Sequence, residues 1–379
     1  MKILVVAQHQ HDGGSPTAIF IHDQMKEYVR AGHEVRVIAP VGIAKPDWFD
    51  DRFSLRTKKC VIDGIPHVFP RYLTLSRFGA KHINTPSAVY VVKKQLPDLL
   101  DGFQPDIIHA HVLGFGSCIG AALKEMLGCP LVVTTHGSDT TIPVNTGRTA
   151  DLYRWCKDAD VVVAVSKALE ERLRQSKTET EIKVIHNGYY DEGITGDVTK
   201  EACSCLQVSN LIELKQIPVT IRAFEKIHQQ HPQARLTIIG KGPDRAVLER
   251  LCEELNISDV VTFTGQLQHH EVIAHMAKTQ FYIQPSVREG LPISYLEAMG
   301  MGCVIIGTAT EGISEIVNHG VNGFLIQPGD YEAIAEHVCA CIVDQERTNL
   351  LAEQGKKTAN LLTWQHNAQK LVNLFEELI

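Results

Sequence analysis

The strongest constraint on this chain is a rhythm that occurs twice. Short β-branched or apolar runs at residues 2–7, 34–39, 106–110, 131–135, 160–165 and 182–185 alternate with helix-length segments. After Asn187-Gly188 the alternation restarts, with runs at 206–209, 235–239, 261–263, 281–284, 304–306 and 324–326. A strand, a crossover helix and a parallel strand bury both faces of the sheet they build, so each series predicts a mostly parallel, doubly wound α/β sheet. The length agrees, because 379 residues exceed the size at which one hydrophobic core stops growing. The expected domains are 1–190 and 191–362, with a linker near 188–199. A last helix at 364–374 could pack on either domain.

Composition narrows the function classes. An apolar fraction of 44% and a charged fraction of 21% are those of a soluble globular protein. A net charge of -7 argues against a general electrostatic footprint for nucleic acid. The first apolar run is too short for a signal-peptide core, and no stretch approaches the roughly 18 apolar residues of a spanning helix, so a cytoplasmic protein is expected. Ten cysteines without C-x2-C pairs suit reduced core thiols. His337, Cys339 and Cys341 share a helical stretch, but their spacing suits packing better than a metal site.

Ligands of open α/β sheets bind beyond the carboxyl ends of strands. The run 281–284 leads into Pro285-Ser286-Val287-Arg288-Glu289-Gly290-Leu291-Pro292, and a helix opens at Ile293 and carries Glu297. Pro292 suits the first helical position, and Gly290 allows close approach of backbone to a ligand. The N–H groups and dipole at Ile293 suit a diphosphate. With roughly 1.5 Å rise per residue, Glu289 and Glu297 present carboxylates about 7–10 Å apart, near the spacing of sugar and ribose in a nucleotide sugar. Lys215 follows the first strand of the second domain and can neutralise a departing phosphate. His136, in Thr135-His136-Gly137-Ser138-Asp139, closes a strand of the first domain and is expected to face the same cleft. His109 and His111 are weaker candidates, since alternation along a strand is expected to turn only one of them to the cleft. Gly13-Gly14 lacks the G-x-G-x-x-G pattern, so a dinucleotide site is not expected there, although Gly14 can pass backbone close to the donor or acceptor. Singly, each glutamate or lysine reads equally as an ordinary solvated side chain; the loop, proline and glycines around them favour a site.

These stretches resemble glycosyltransferase family 4. So do Val165-Ser166, Val184-Ile185-His186-Asn187-Gly188, Ile239-Gly240-Lys241-Gly242-Pro243, Phe263-Thr264-Gly265, Leu296-Glu297-Ala298-Met299 and Gly312-Ile313-Ser314-Glu315-Ile316-Val317. The most specific element is E-x7-E, here Glu289 and Glu297. The resemblance implies a GT-B fold, with two Rossmann-like domains facing a cleft, the acceptor side first and the donor side second. Residues 363–379 would form a helix crossing back to the first domain. It implies a metal-independent, retaining, hexosyltransferase-type enzyme that needs no cofactor and uses a UDP- or GDP-linked sugar. Glu289 would bind sugar hydroxyls, Glu297 the ribose, Lys215 the diphosphate and His136 the sugar near its anomeric carbon, with Lys215 and the helix end supporting front-face attack. Gly14, Asn210, Gly290, Leu291, Pro292 and Ile293 would complete donor binding. Asn210 stands where many relatives carry Arg. The acceptor would be a glycan, a lipid-linked or a small-molecule hydroxyl, in cell-surface polysaccharide or glycolipid synthesis. Residues 71–81 with Lys93-Lys94 suit peripheral contact with an anionic membrane at its inner face; a solvated loop leading into a helix is the alternative. An epimerase, a phosphorylase or a non-catalytic binding subunit shares such a fold, and the intact Glu289, Glu297 and Lys215 favour transfer.

Overall fold

The computed structural model describes residues 1–7, 19–43, 56–74, 81–190, 198–310 and 312–379. The chain divides into two compact units, Met1–His186 with Trp364–Ile379, and Asn187–Thr363.

The first unit contains strands β1 (Lys2–Val6), β2 (Glu34–Ile38), β3 (Val41–Ile43), β4 (Lys58–Ile62), β5 (Ile65–Phe69), β6 (Arg71–Leu73), β7 (Ile107–His111), β8 (Leu131–Thr135), β9 (Val161–Ala164) and β10 (Glu181–Val184). Eight of them form one sheet in the order β10-β9-β8-β7-β1-β2-β5-β4. All neighbours are parallel except β4 and β5, which make a hairpin. Helices α1 (Ile19–Arg30), α2 (Lys81–Leu100), α3 (Phe115–Leu127), α4 (Ser138–Asn145), α5 (Thr149–Cys156) and α6 (Lys167–Arg174) complete the α/β alternation. Strands β7, β8 and β9 are buried at every position, which is why they read as unbroken apolar or β-branched runs. Sequence reading missed β3 to β6. β3 and β6 are only three residues long, and β4 is an edge strand, Lys-Lys-Cys-Val-Ile, that stays partly exposed throughout.

The second unit repeats the plan with β11 (Glu201–Val208), β12 (Arg235–Ile239), β13 (Val261–Gly265), β14 (Thr279–Gln284), β15 (Val304–Thr308) and β16 (Phe324–Ile326). Its sheet is wholly parallel, in the order β13-β12-β11-β14-β15-β16. Helices α7 (Ile217–Gln230), α8 (Arg245–Glu254), α9 (His269–Lys278), α10 (Ile293–Gly300), α11 (Tyr331–Val343) and α12 (Gln345–Asn360) cover it. The chain builds outward from β11 in one direction and then restarts beside it at β14. That reversal opens a crevice at the carboxyl ends of these two strands. β11 begins at Glu201, five residues before the expected start; its first two residues are exposed, and Cys203, Ser204 and Cys205 are buried.

The last helix, α13 (Trp364–Leu378), belongs to the first unit. Its buried Ala368, Leu371, Val372 and Phe375 recur at helical spacing and face α1 and the sheet. The Phe375 ring lies 5.8 Å from Tyr28 and 5.3 Å from His109. Gln24 Nε2 donates to Asn367 Oδ1 at 2.7 Å, and Asn367 Nδ2 donates to the His186 carbonyl at 2.7 Å. The chain enters and leaves the second unit side by side, with Tyr189 N donating to the Leu362 carbonyl at 3.1 Å.

Only part of the 71–81 segment lies among the described residues. Its first three residues are β6, paired with β3, and Tyr72 is buried with its ring 5.9 Å from Phe115. Leu73 is exposed, and residues 75–80 lie outside the described residues. Lys93 is paired with Glu125 at 2.7 Å. Gly13, Gly14 and linker residues 191–197 also lie outside the described residues. All ten cysteines are free thiols; Cys339 and Cys341 are buried in the core and His337 stacks on Phe324 at 4.3 Å. No helix among the described residues is long and apolar enough to cross a membrane.

Candidate active site

Because β11 and β14 are neighbours, the segments leaving their carboxyl ends meet, and each carries one half of an ion pair. Lys215 ends a single 3-10 turn, Glu213–Lys215. Gln216, at φ 50°, then turns the chain into α7. β11 steadies this turn, with Gln207 Nε2 donating to the Lys215 carbonyl at 3.1 Å. The loop after β14 is stitched to the same turn by Val287 N, which donates to the Leu214 carbonyl at 3.0 Å. Lys215 Nζ therefore reaches Glu289 Oε1 at 2.6 Å, and the two side chains are only 18% and 11% exposed. Gln284 Nε2 donates to the same oxygen at 3.0 Å, while Tyr282 OH donates to Gln284 Oε1 at 2.6 Å. Glu289 Oε1 is thus held from two sides.

α10 begins at Ile293, and Pro292 precedes it as the N-cap residue with φ -73° and ψ 124°. Pro292 is therefore one position earlier than expected, where its extended backbone bends the chain into the helix. No side chain among the described residues caps this end, so its first N–H groups remain able to meet an anion. Two glycines allow the tight backbone packing nearby. A Cβ on Gly312 would come 1.5 Å from the Gly290 carbonyl oxygen, and one on Gly240, at φ 141°, would come 1.9 Å from the Ser209 carbonyl oxygen. Between these segments lies a cavity of about 320 Å³ whose walls include Asn210, Lys215, Gly240, Gln284, Pro292 and Ser294. Leu291 is buried and its carbonyl accepts from Asn187 Nδ2 at 3.4 Å.

Glu297, one turn into α10, meets His269, the first residue of α9, at 2.7 Å between Oε1 and Nε2. Sequence reading missed His269, since the two lie 28 residues apart on different helices. It also missed Lys200, whose Nζ donates to the carbonyls of Met276, Thr279 and Met301 at 3.0, 2.7 and 2.7 Å. That ammonium ties together the carboxyl ends of α9 and α10, the two helices whose opposite ends carry His269 and Ile293. Burial holds it below the usual lysine range.

In the first unit, His136 leaves β8 just before α4. Asp139 fixes that turn: Oδ1 accepts from the backbone N–H groups of His136 and Gly137 at 3.2 and 2.9 Å, and Oδ2 from Leu113 N at 2.9 Å. Asp139 appears in the sequence motif, but only the fold shows its work. The His136 ring stacks on His111 with centroids 5.3 Å apart, shares a hydrogen bond between its Nε2 and His111 Nδ1 at 3.1 Å, and packs on Phe20 at 4.7 Å. Its Nδ1 finds no hydrogen-bond partner among the described residues. The expectation that strand alternation separates His109 from His111 is corrected here. Residues two apart on a strand share one face, and both rings are buried 4.3 Å apart. His109 is structural, sitting between Tyr28 OH at 3.2 Å and Thr134 Oγ1 at 2.8 Å.

Burial pushes His109 down to about 3 and His136 down to about 4, so both imidazoles are neutral at pH 7. The unfolded chain, with ordinary histidines, binds more protons between about pH 6.5 and these values. Stability is therefore expected to be full above about pH 6.5 and to fall as pH drops toward 4 and then 3. Thermal melting from pH 7.5 to 4, with His109→Phe and His136→Phe flattening the slope, checks this.

Two doubly wound α/β units, the second carrying a carboxylate–lysine pair beside the start of α10, make up the chain. Residues 17–192 match the family described as Glycosyltransferase Family 4, and residues 200–358 that described as Glycosyl transferases group 1. The chain belongs to family 4 of the glycosyltransferases and has the GT-B fold. It is similar to an N-acetyl-alpha-D-glucosaminyl L-malate synthase of Bacillus anthracis, with 24% identity over 83% of this chain and 84% of that one. A putative teichuronic acid biosynthesis glycosyltransferase of Bacillus subtilis is 26% identical over 89% and 88% of the two chains. Among solved structures, Anabaena HepE in complex with UDP and glucose superposes with a TM-score of 0.73 at 21% identity, covering all of both chains.

Proposed function

We infer that this glycosyltransferase moves a hexose from a UDP- or GDP-linked donor to an acceptor hydroxyl with retention of anomeric configuration. The observation that carries this reading is the buried Lys215–Glu289 pair beside the uncapped end of α10, at the switch point of the second sheet. Glu289, held through Oε1, offers its other oxygen to sugar hydroxyls. Glu297 serves the ribose, and Gly290, Leu291, Pro292 and Ile293 supply backbone around the phosphates, with Asn210 on the cavity wall. Gly14 is assigned to the donor by the resemblance alone. His136 serves the transferred sugar as a neutral imidazole, for which its low pKa and unpartnered Nδ1 are support.

The reaction is a front-face displacement. The bond from the anomeric carbon to the diphosphate oxygen breaks, the acceptor oxygen bonds to that carbon on the same face, and the acceptor proton passes to the leaving phosphate. Lys215 and the helix end stabilise the charge that grows on the diphosphate. An ammonium and a helix dipole supply the positive charge that a metal supplies elsewhere, so the reading is metal-independent. The acceptor is assigned to cell-surface polysaccharide or glycolipid synthesis, for which the teichuronic acid relative is support. A cytoplasmic site of action, at the inner membrane face when the acceptor is lipid-linked, follows from that assignment.

The test is a donor screen, followed by transfer monitored by NMR in EDTA. The expected product keeps the donor's anomeric configuration, and its rate is unchanged by chelation. An inverted product, or loss of rate restored by magnesium or manganese ions, contradicts the reading.

A further inference from the structure

Glu297 does not stand alone at the mouth of α10. Its side chain is only 12% exposed, and His269 reaches it from a different helix at 2.7 Å while remaining 42% exposed. A carboxylate has two oxygens and can rotate; one oxygen fixed by a ring N–H leaves the other as the single acceptor, in one orientation. His269 is the first residue of α9, so its Cα is set by a helix start with a capping box, in which Glu271 Oε2 accepts from Gln268 N at 2.8 Å. The opposite end of α9 is tied to that of α10 by Lys200. The His269–Glu297 contact therefore joins two helices whose spacing is already fixed, as a positioning contact requires. Leu267 and Val272, on either side of His269 in the chain, line the cavity.

We propose that His269 is a positioning residue for ribose recognition: it locks Glu297 Oε1 so that Oε2 accepts from the ribose hydroxyls of the nucleotide. This rests on the assignment of Glu297 to the ribose. It predicts that His269 governs affinity only for nucleotides that carry those hydroxyls. A merely structural role would weaken every nucleotide alike, and a general attraction of the imidazole for phosphate would do the same.

The experiment is titration calorimetry of the full chain with UDP and GDP, and with the 2′,3′-dideoxy form of whichever binds more tightly. His269→Ala is expected to bind the ribonucleotide about tenfold more weakly, the scale of one lost hydrogen bond to a charged group. The dideoxynucleotide should bind the variant and the unaltered protein equally. His269→Gln, whose Nε2 can donate from a similar place, should recover most of the loss, and His269→Ala should raise the donor KM more than it lowers kcat. Because His269 is partly exposed, the alanine variant should melt within a few degrees of the unaltered protein. Equal loss for both nucleotides, no loss for either, or no recovery in His269→Gln overturns the proposal. Glu297→Gln separates the two levels. If the unaltered protein does not discriminate ribose from dideoxyribose, the ribose assignment fails together with the proposal. If it does and Glu297→Gln abolishes the discrimination while His269→Ala keeps it, only the role of His269 fails.

Discussion

Removing the charge of Lys215 is expected to lower turnover by about 10²-fold or more, the scale seen when one preorganised stabilising group is lost. Negative charge on the diphosphate grows as the glycosidic bond breaks, so a fixed ammonium favours the transition state over the bound donor. Donor binding should change less than kcat. The structure shows why alanine is a harsh test. Lys215 also meets Glu289 in a mostly buried pair, and removing one partner of such a pair costs about 3–5 kcal/mol. Lys215→Gln is the cleaner variant, because its amide can still donate toward Glu289 while the charge is gone. Arginine is not a safe substitute, since its planar head is broader than a compact ammonium. Asn210 sharpens the outcome, as it leaves no second cation at that neighbouring position. Arg245, one alternative cation, is engaged with Glu249 at 2.8 Å. Near-normal turnover of a folded Lys215→Gln at saturating donor would remove Lys215 from the leaving-group role.

A single methyl group at Gly312 should have an effect of similar size. A Cβ there would lie 1.5 Å from the Gly290 oxygen, 2.5 Å from its carbonyl carbon and 3.1 Å from the Glu289 oxygen, all of them backbone atoms. Backbone cannot swing aside as a long side chain can, so either the loop carrying Glu289 or the segment at Gly312 must move. A displacement of about 1 Å in a positioning segment can cost about 10² in rate. Gly312→Ala is accordingly expected to lose about 10²-fold in transfer, whereas Gly329→Ala, with nothing within 4 Å of its added Cβ, tests only the strain of φ 81°. Activity of Gly312→Ala within twofold of the unaltered enzyme, with normal melting, would mean that the placement of the 285–290 loop does not limit the reaction.

How much of this could be read in advance depends on how local each feature is. Glu289, Pro292, Ile293 and Glu297 lie within nine residues, and a strand-loop-helix pattern suffices to make them candidates. Lys215 was legible only as a lysine after a strand. Its contact with Glu289 spans 74 positions and exists because β11 and β14 are neighbours. Gln284 reads as an ordinary strand residue until its amide is seen at 3.0 Å from Glu289. Strands β3, β4 and β6 went unread because three-residue strands and a half-exposed edge carry too little apolar periodicity.

The sequence by itself determined the class of this protein: two doubly wound α/β units, set by a repeated alternation of strand-length and helix-length segments, and a family membership carried by short motifs at strand ends. Those features follow from backbone periodicity and local turn chemistry, which act over a few residues. Tertiary structure alone decided which side chains meet. Strand order brought Lys215 to Glu289, and helix packing brought His269 to Glu297. α13 returned to the first unit because its Leu371 and Phe375 face is covered there beside Tyr28 and His109. An apolar stripe records that a helix must be buried, but not against which partner, and that choice belongs to the assembled core.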